Sequence, residues 1–435
     1  MKGNMNAIPT KWSSTLGRYR VYTNAVALML SAAGSGILGI IYWYFAAHLT
    51  SQTSVGRSAA EIAAVTLLAT LSQMSFGSVF QRYLPGAGDK ARGLVSRAYA
   101  ICTGLALIIA ISYLSLGLAK RFFSPSPRWD AIFVVTVILY TIFALQDSVL
   151  ISLRVSRWVA VENNLFGVAK LLLLLPFAAY AEGQGIVISW TIPLIATVAV
   201  VNWYIFRRRL PDHLQTTTIV QPLPTFAKML SLAIPQYATS ILSMFSTSVV
   251  TLIVIAQKGA VENAHYFLVA QIAVVPAIFL WNVSKLFIVE AAHEPEELGR
   301  LTRQAVNAMS ALVLLSMVVG IVFAHPLLSV FGETYANRGT VLLRMLIIAL
   351  PGAAVAALYA AFAWIDGRVW FLVIREGITM IIYLAFILIL IGHFGINAVG
   401  YAAVITSGAE FLLFLPLTIR RIRQIPSARF AKDSP

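Results

Sequence analysis

Charge is scarce in this chain, and acid is scarcer than base. Asp and Glu number 17 against 32 Lys and Arg, and charged residues make up only 11% of the 435 positions. Soluble domains carry about 25% charged residues, so this shortage, with a mean hydropathy of +0.82, excludes a water-soluble globular fold. Cysteine is nearly absent. The single Cys102 excludes an intrachain disulfide framework and a cysteine-based zinc site. A Walker A run, a dinucleotide fingerprint and HExxH are missing too, so ATP hydrolysis and zinc chemistry have no visible apparatus. The six histidines (His48, His213, His265, His293, His325 and His393) fall at the ends of apolar runs or in connections, without ligand spacing. No metal, no cofactor and no enzymatic activity are expected.

What is abundant is apolar sequence, 59% of the chain. Continuous apolar stretches give twelve candidate spans, at 21–48, 58–80, 94–118, 130–152, 159–180 and 184–205, then 229–256, 264–288, 305–324, 341–364, 369–391 and 396–419. Lipid offers no water to an open sheet edge, and the alternation of a barrel is absent, so these runs are expected as helices. The first run, about 28 residues, is longer than the roughly 7–15 residues of a cleavable signal and is expected to remain as a span.

With the N-terminus placed inside, 24 of the 32 Lys and Arg fall on the cytoplasmic side and seven outside: Arg57, Lys120, Arg121, Arg128, Lys258, Arg338 and Arg344. Lys170 lies alone deep within a span. The positive-inside rule thus accounts for the formal charge of +15 without nucleic acid, and both termini are expected in the cytoplasm. Trp43, Trp129 and Trp190 fall near outer span ends and Trp158, Trp203, Trp364 and Trp370 near inner ends, as interfacial anchors would.

The longest polar connection, from Phe206 to Lys228, divides the spans six and six. Sliding the first half by 206 positions pairs Val55 with Val261, Ala64 with Ala270, Ser78 with Ser284, Gly93 with Gly299 and Arg97 with Arg303 without a gap. Six spans per unit relate the halves by an axis along the membrane normal, as in parallel-repeat transporters. The expectation is an all-α polytopic membrane protein of about 12 transmembrane helices in two six-helix lobes. The lobes are 1–210 and 229–419, joined by a cytoplasmic linker 211–228 and followed by a basic tail 420–435.

Val55-Gly56, followed by an apolar span ending Phe76-Gly77-Ser78-Val79-Phe80-Gln81-Arg82-Tyr83-Leu84-Pro85, resembles the first helical hairpin of polysaccharide and O-antigen flippases. Pro235 and the run Gly259-Ala260-Val261-Glu262-Asn263-Ala264-His265-Tyr266 resemble that family's seventh span and its turn into the eighth. The stretch from Leu145-Gln146-Asp147 through Arg154, Arg157 and Asn163-Asn164 to Lys170 is similar to its fourth and fifth spans. Glu262 and Asn263 depart from the family's Gly-rich continuation, and no strongly cationic central span is present. The chain thereby resembles the Wzx-type members of the multidrug, oligosaccharidyl-lipid and polysaccharide (MOP) flippase superfamily, with its MATE-like fold. The resemblance implies translocation of a lipid-linked (polyprenyl-diphosphate) oligosaccharide across the cytoplasmic membrane by alternating access. It also implies membrane lipids, a coupling proton or sodium ion and other polysaccharide-assembly proteins as partners. A MATE-like multidrug antiporter and a membrane-embedded glycan polymerase or ligase are the alternatives.

Ionisable groups inside spans are costly and therefore candidates. Arg82 and Lys285, near the inner ends of spans two and eight, line the cleft if the halves are equivalent; Arg154 and Arg375 add positive charge on that side. Guanidinium forks suit a diphosphate. Lys170, deep in span five, is a fifth candidate for substrate binding, with an ion pair to Asp147 of span four as its structural alternative. Asp147, Glu162, Glu376 and Glu410 are candidates for ion coupling or for structural charge.

Overall fold

The structure, a computed structural model, describes residues 34–119, 126–180, 183–216 and 223–425. Those residues contain no strand, as expected where every backbone donor must be satisfied within its own segment. Among the described residues eleven helical stretches are long and apolar enough to cross a membrane, from Gln52–Ser72 to Asn397–Arg423. They match the second to twelfth expected spans in order. The first expected span is seen only as helix α1 over residues 34–49; its earlier part lies outside the described residues.

Helix α2 (Gln52–Ser72) follows α1 after two residues. Ser51, in an extended conformation, starts it by accepting the Ser54 N–H at 3.2 Å, a standard N-cap. Hydropathy places this span at 58–80 without interruption, and the structure corrects it at both ends. Its polar first turn, Gln52–Arg57, is helical because Val55 and Gly56 are buried against neighbouring helices. Its far end breaks at Met74 and Ser75, both left-handed (φ 45° and 59°), before a short helix α3 (Phe76–Tyr83). Left-handed backbone costs a non-glycine residue of the order of 1 kcal/mol each. No proline or glycine stands at the break to announce it.

The first half continues through α4 (Ala91–Ser115), α5 (Pro127–Ser152), α6 (Ser156–Tyr180) and α7 (Gly185–Tyr204). A widened π turn at Ile205–Arg209 leads into α8 (Leu210–Thr216), so the start of the expected linker is helical. The second half opens with α9 (Phe226–Met244), a second π turn at Phe245–Val249 and α10 (Val250–Lys258). It continues with α11 (Ala260–His293), α12 (Leu298–Val322), α13 (Ala324–Ser329), α14 (Glu333–Ile348), α15 (Leu350–Ile365), α16 (Val369–Phe394) and α17 (Asn397–Arg423). The tenth span therefore begins at Glu333 rather than 341, and the expected outer loop before it holds α13.

Helices cross in alternating directions. Arg421 reaches Asp366 and His213 reaches the Leu84 carbonyl at one end, while Gln52 reaches Thr334 and Lys258 the Gly392 carbonyl at the other. The first of these ends carries Arg82, Arg154, Arg207–Arg209, Arg300, Arg368 and Arg420–Arg423 and is called the basic end below. Trp43 is buried at 3% exposure rather than interfacial, in a cluster that joins Tyr42, Val55 and Ala59 to Val250, Ala264 and Leu268. Trp158, Trp203, Trp364 and Trp370 are exposed near the basic end.

The halves meet chiefly through α2 and α11. These are the helices that the 206-residue offset pairs, since α2 so shifted falls on 258–278. Their approach is backbone to backbone. A Cβ on Gly56 would collide with the Ala260 carbonyl oxygen, and Asn263 Nδ2 donates to the Gly56 carbonyl at 2.7 Å. Small residues admit such contacts where lipid supplies no hydrophobic drive between helices.

Gly56→Ala is expected to lower the unfolding temperature by several degrees, because overpacking costs about 1–3 kcal/mol. Gly104→Ala, with nothing within 4 Å of the added carbon, is expected to leave it unchanged or slightly higher. Thermal unfolding of both purified variants in one detergent checks the pair, and equal midpoints would remove the Gly56 contact from the supports of the fold.

Candidate functional site

The break between α2 and α3 creates a polar recess where the halves face each other at the basic end. As Met74 and Ser75 leave helical geometry, the Leu71 carbonyl is released from the α2 ladder, and Tyr237 Oη on α9 donates to it at 2.5 Å. Beside this contact lies a cavity of about 180 Å³ lined by hydroxyls and carboxamides: Thr70, Gln73, Ser75, Ser78, Gln81, Ser148, Gln236, Tyr237 and Ser240, with Gly77. It shares Ser78, Gln81 and Gln236 with a second cavity of about 350 Å³ that adds Arg82, Tyr83 and the apolar Val79, Met229 and Ala233. Among the described residues neither lining contains a carboxylate. Arg82 is exposed, makes no ion pair among the described residues, and sits over the Tyr83 ring at 5.7 Å.

At the opposite end the halves are joined by side-chain contacts. Besides the Asn263–Gly56 bond, Gln52 Nε2 donates to Thr334 Oγ1 at 2.7 Å. Within the second half, Glu262 lies 3.9 Å from Arg338 and 4.0 Å from His265, beside the turn where Gly259 (φ 86°) reverses the chain between α10 and α11.

The other sequence-selected residues fall into separate groups. Arg375 is held inside the second half: Nη2 donates to Glu376 Oε2 at 2.8 Å and Nη1 to the Ala356 carbonyl at 3.2 Å, while Glu410 Oε1 lies 3.8 Å away and also accepts from Thr379 at 3.0 Å. Arg375 is thus held by acids of its own half and lines neither cavity. Arg154 stands exposed on the turn between α5 and α6 with φ 59°, and Lys285 is exposed on α11; both lie outside the two linings.

The expected Asp147–Lys170 ion pair is not made. Both Asp147 oxygens accept from Asn163 Nδ2 at 3.3 Å. Lys170 lies seven residues farther along α6, about 10 Å along the axis, more than the opposed lean of the two side chains closes. Its ammonium, on a residue 9% exposed, is instead enclosed by three rings: Trp190 at 4.5 Å, Tyr42 at 4.9 Å and Phe166 at 5.4 Å. Such cation–π contacts contribute about 2 kcal/mol or more when desolvated. Trp190, expected at the interface, is a wall of this cage, and its buried Nε1 has no acceptor. Asp147's electrostatic neighbours include Glu162 and the phenols of Tyr99 and Tyr140. Glu162 is 3% exposed, and both its carboxyl oxygens are buried without a hydrogen-bond partner among the described residues.

Two features escaped the sequence reading. Glu61, on the central helix α2, is 5% exposed and has no ion pair among the described residues; as the one acid inside an otherwise apolar run it was the available signal. The uncharged lining of the recess carries no such mark, because Ser, Gln and Tyr are ordinary polar residues until the α2–α3 break and α9 bring them together.

Asp147→Asn and Lys170→Met are expected to act independently on unfolding free energy, with a coupling below about 0.5 kcal/mol. A double-mutant cycle measures it, and a coupling of the size of a buried ion pair, about 3 kcal/mol or more, would restore the pairing.

No family model matches this sequence, and no curated protein sequence matches it. The fold does match solved structures. The lipid II flippase MurJ, in an inward closed conformation, aligns with a TM-score of 0.73 at 16% identity, covering 92% of this chain and 90% of that one. The MATE multidrug transporter DinF-BH aligns with a TM-score of 0.65 at 12% identity over 97% and 98% of the two chains. A MOP superfamily transporter from Pyrococcus furiosus, described as having a binding pocket of reverse polarity, aligns with a TM-score of 0.61 at 14% identity over 92% and 95%. This chain is therefore a multi-pass membrane protein with the fold shared by MATE and MurJ transporters of the MOP superfamily.

Proposed function

We propose that this protein is a flippase carrying a lipid-linked oligosaccharide, on a polyprenyl diphosphate, from the cytoplasmic to the outer leaflet of the cytoplasmic membrane. The observation that supports the reading is the lining of the inter-half recess, which among the described residues holds carboxamides and hydroxyls in number, one guanidinium and no acid. Sugars present hydroxyls that both donate and accept, which Gln, Ser and Thr answer in either sense. A diphosphate entering low dielectric needs a matched cation, and the fork of Arg82 offers paired charge-assisted hydrogen bonds. Arg154 and Lys285, exposed at the same end, add to the field that draws the anion. The lipid tail stays in the bilayer.

A cationic drug would favour the opposite lining, with a carboxylate facing the pocket; that supports the flippase over the multidrug antiporter. Alternating access is the mechanism proposed for lobes 1–210 and 229–419. Opening the far end requires parting Asn263 from Gly56 and Gln52 from Thr334, whereas widening the basic end requires parting α9 from α3 and Tyr237 from the Leu71 carbonyl. The positive-inside rule orients the basic end and both termini to the cytoplasm, where the lipid-linked sugar would be loaded.

In proteoliposomes containing a labelled polyprenyl-diphosphate oligosaccharide, Arg82→Gln is expected to slow translocation roughly 10- to 100-fold, the weight of a charge-assisted hydrogen-bond pair. Arg82→Lys is expected to restore it only in part, and Gln81→Leu with Gln236→Leu to slow it without reducing protein yield. Deleting the gene is expected to leave the lipid-linked intermediate on the inner leaflet. Wild-type translocation by all three variants, or no accumulation on deletion, refutes the proposal.

A further inference from the structure

A second recess, of about 440 Å³, opens at the basic end of the second half, within α15, α17 and the turn before α16, and apart from the inter-half linings. Its position is fixed by backbone. After α15 the chain reverses through Gly367 (φ 73°), whose N–H donates to the Trp364 carbonyl at 3.0 Å while the Arg368 N–H donates to the Ala363 carbonyl at 2.8 Å. Arg368 is thus presented from a hydrogen-bonded turn. Helix α17 is locked against α15: a Cβ on Gly352 would collide with the Ser407 carbonyl oxygen, and Ser407 Oγ donates to the Ala349 carbonyl. That packing carries Arg420 and Arg421 to the recess.

The charges do not cancel. Arg421 Nη2 binds Asp366 Oδ1 at 2.7 Å, which occupies the one acid of the lining among the described residues, while its buried Nε has no acceptor among them. Arg368 and Arg420 are exposed and make no ion pair among the described residues. Arg300 at the same end, by contrast, is paired by Glu294 and Glu297. Beneath the guanidinium groups the floor is apolar: Phe362, Leu417 and Tyr359, the last stacked on Phe414 at 4.8 Å. Exposed Trp364 and Trp370 flank the turn and set it at headgroup depth.

Two unpaired guanidinium forks over an apolar floor at the bilayer surface match a phosphate that has a chain attached. We propose that this recess is a binding site for the phosphate of an anionic phospholipid headgroup of the cytoplasmic leaflet, its acyl chain lying over Leu417. Arg368 and Arg420 grip the phosphate oxygens, and Asp366 positions Arg421 beside them. The lipid bridges the turn before α16 to the end of α17. Ordinary snorkelling of interfacial arginines differs in having no preference among phosphate-bearing headgroups and no saturation. The assignment does not depend on the substrate carried between the halves.

The test uses the purified full-length protein in a neutral detergent, titrated with dioctanoyl phosphatidylglycerol, dioctanoyl phosphatidylcholine or inorganic phosphate, with thermal unfolding as the readout. A ligand that binds only the folded state raises the unfolding temperature, and phosphatidylglycerol is expected to raise it saturably by about 2–4 °C. Phosphatidylcholine and inorganic phosphate at equal concentration are expected to leave it in place. Arg368→Gln with Arg420→Gln is expected to abolish the rise, whereas Arg82→Gln in the other recess is expected to retain it. Asp366→Asn, which releases Arg421, is expected to bring the rise at lower lipid concentration, a gain that misfolding does not mimic. An equal rise with phosphatidylcholine overturns the headgroup selectivity, an equal rise with inorganic phosphate overturns the lipid as its source, and an unchanged rise in the double variant, or none in the wild type, overturns the site.

Discussion

Everything in this molecule hangs on the approach of α2 to α11. Inside a bilayer two helices gain nothing from hiding apolar surface, since lipid is as apolar as leucine, so close backbone packing and interhelical hydrogen bonds must supply the attraction. Gly56 lets the Ala260 carbonyl come as near as two main chains allow, and Asn263 adds a bond to the same residue. Around this contact the largest buried cluster runs from Tyr42 and Val55 in the first half to Val250, Ala264 and Leu268 in the second. At the basic end the halves meet again, through the Tyr237–Leu71 hydrogen bond and the packing of Met229 and Ala233 with Phe76, Val79 and Phe80, and the recess is the space left beside these contacts.

The recess explains the different fates of the charges. A carboxylate or guanidinium within a lobe needs partners at once, and Arg375 has them in Glu376, Glu410 and the Ala356 carbonyl. Lys170 uses aromatic faces instead. Arg82 is under no such demand because the recess exposes it, and it remains able to meet an anion from outside the protein. Position relative to the interface, more than residue type, separates a structural charge from one available to a ligand.

Helix number and order were legible because hydropathy over some twenty residues is a strong signal, and eleven helices follow the expected spans. The α2–α3 break was not, since Met74 and Ser75 are not residues that announce a left-handed turn. Depth was legible too, and it placed Lys170 far inside its span. Facing was not: a helix that is apolar on nearly every side does not reveal that Asn163, rather than Lys170, turns toward Asp147. The amide and hydroxyl lining stayed hidden for a related reason, because Gln81 and Gln236 lie on helices from different halves and become neighbours only through tertiary packing.

The two hydrogen bonds between Tyr237 and Leu71 and between Asn263 and Gly56 share an asymmetry. In each, the second half contributes a side chain and the first half a backbone carbonyl. A carbonyl is supplied by any amino acid, so the bond at position 71 places no demand on the identity of the side chain there, whereas few other residues could stand in for Tyr237 or Asn263. Mutational tolerance at the first contact is therefore lopsided: drift at position 71 is buffered by its main chain while Tyr237 is held, whereas at the second both sides are held, Asn263 by its amide and Gly56 by the nearness of the Ala260 carbonyl.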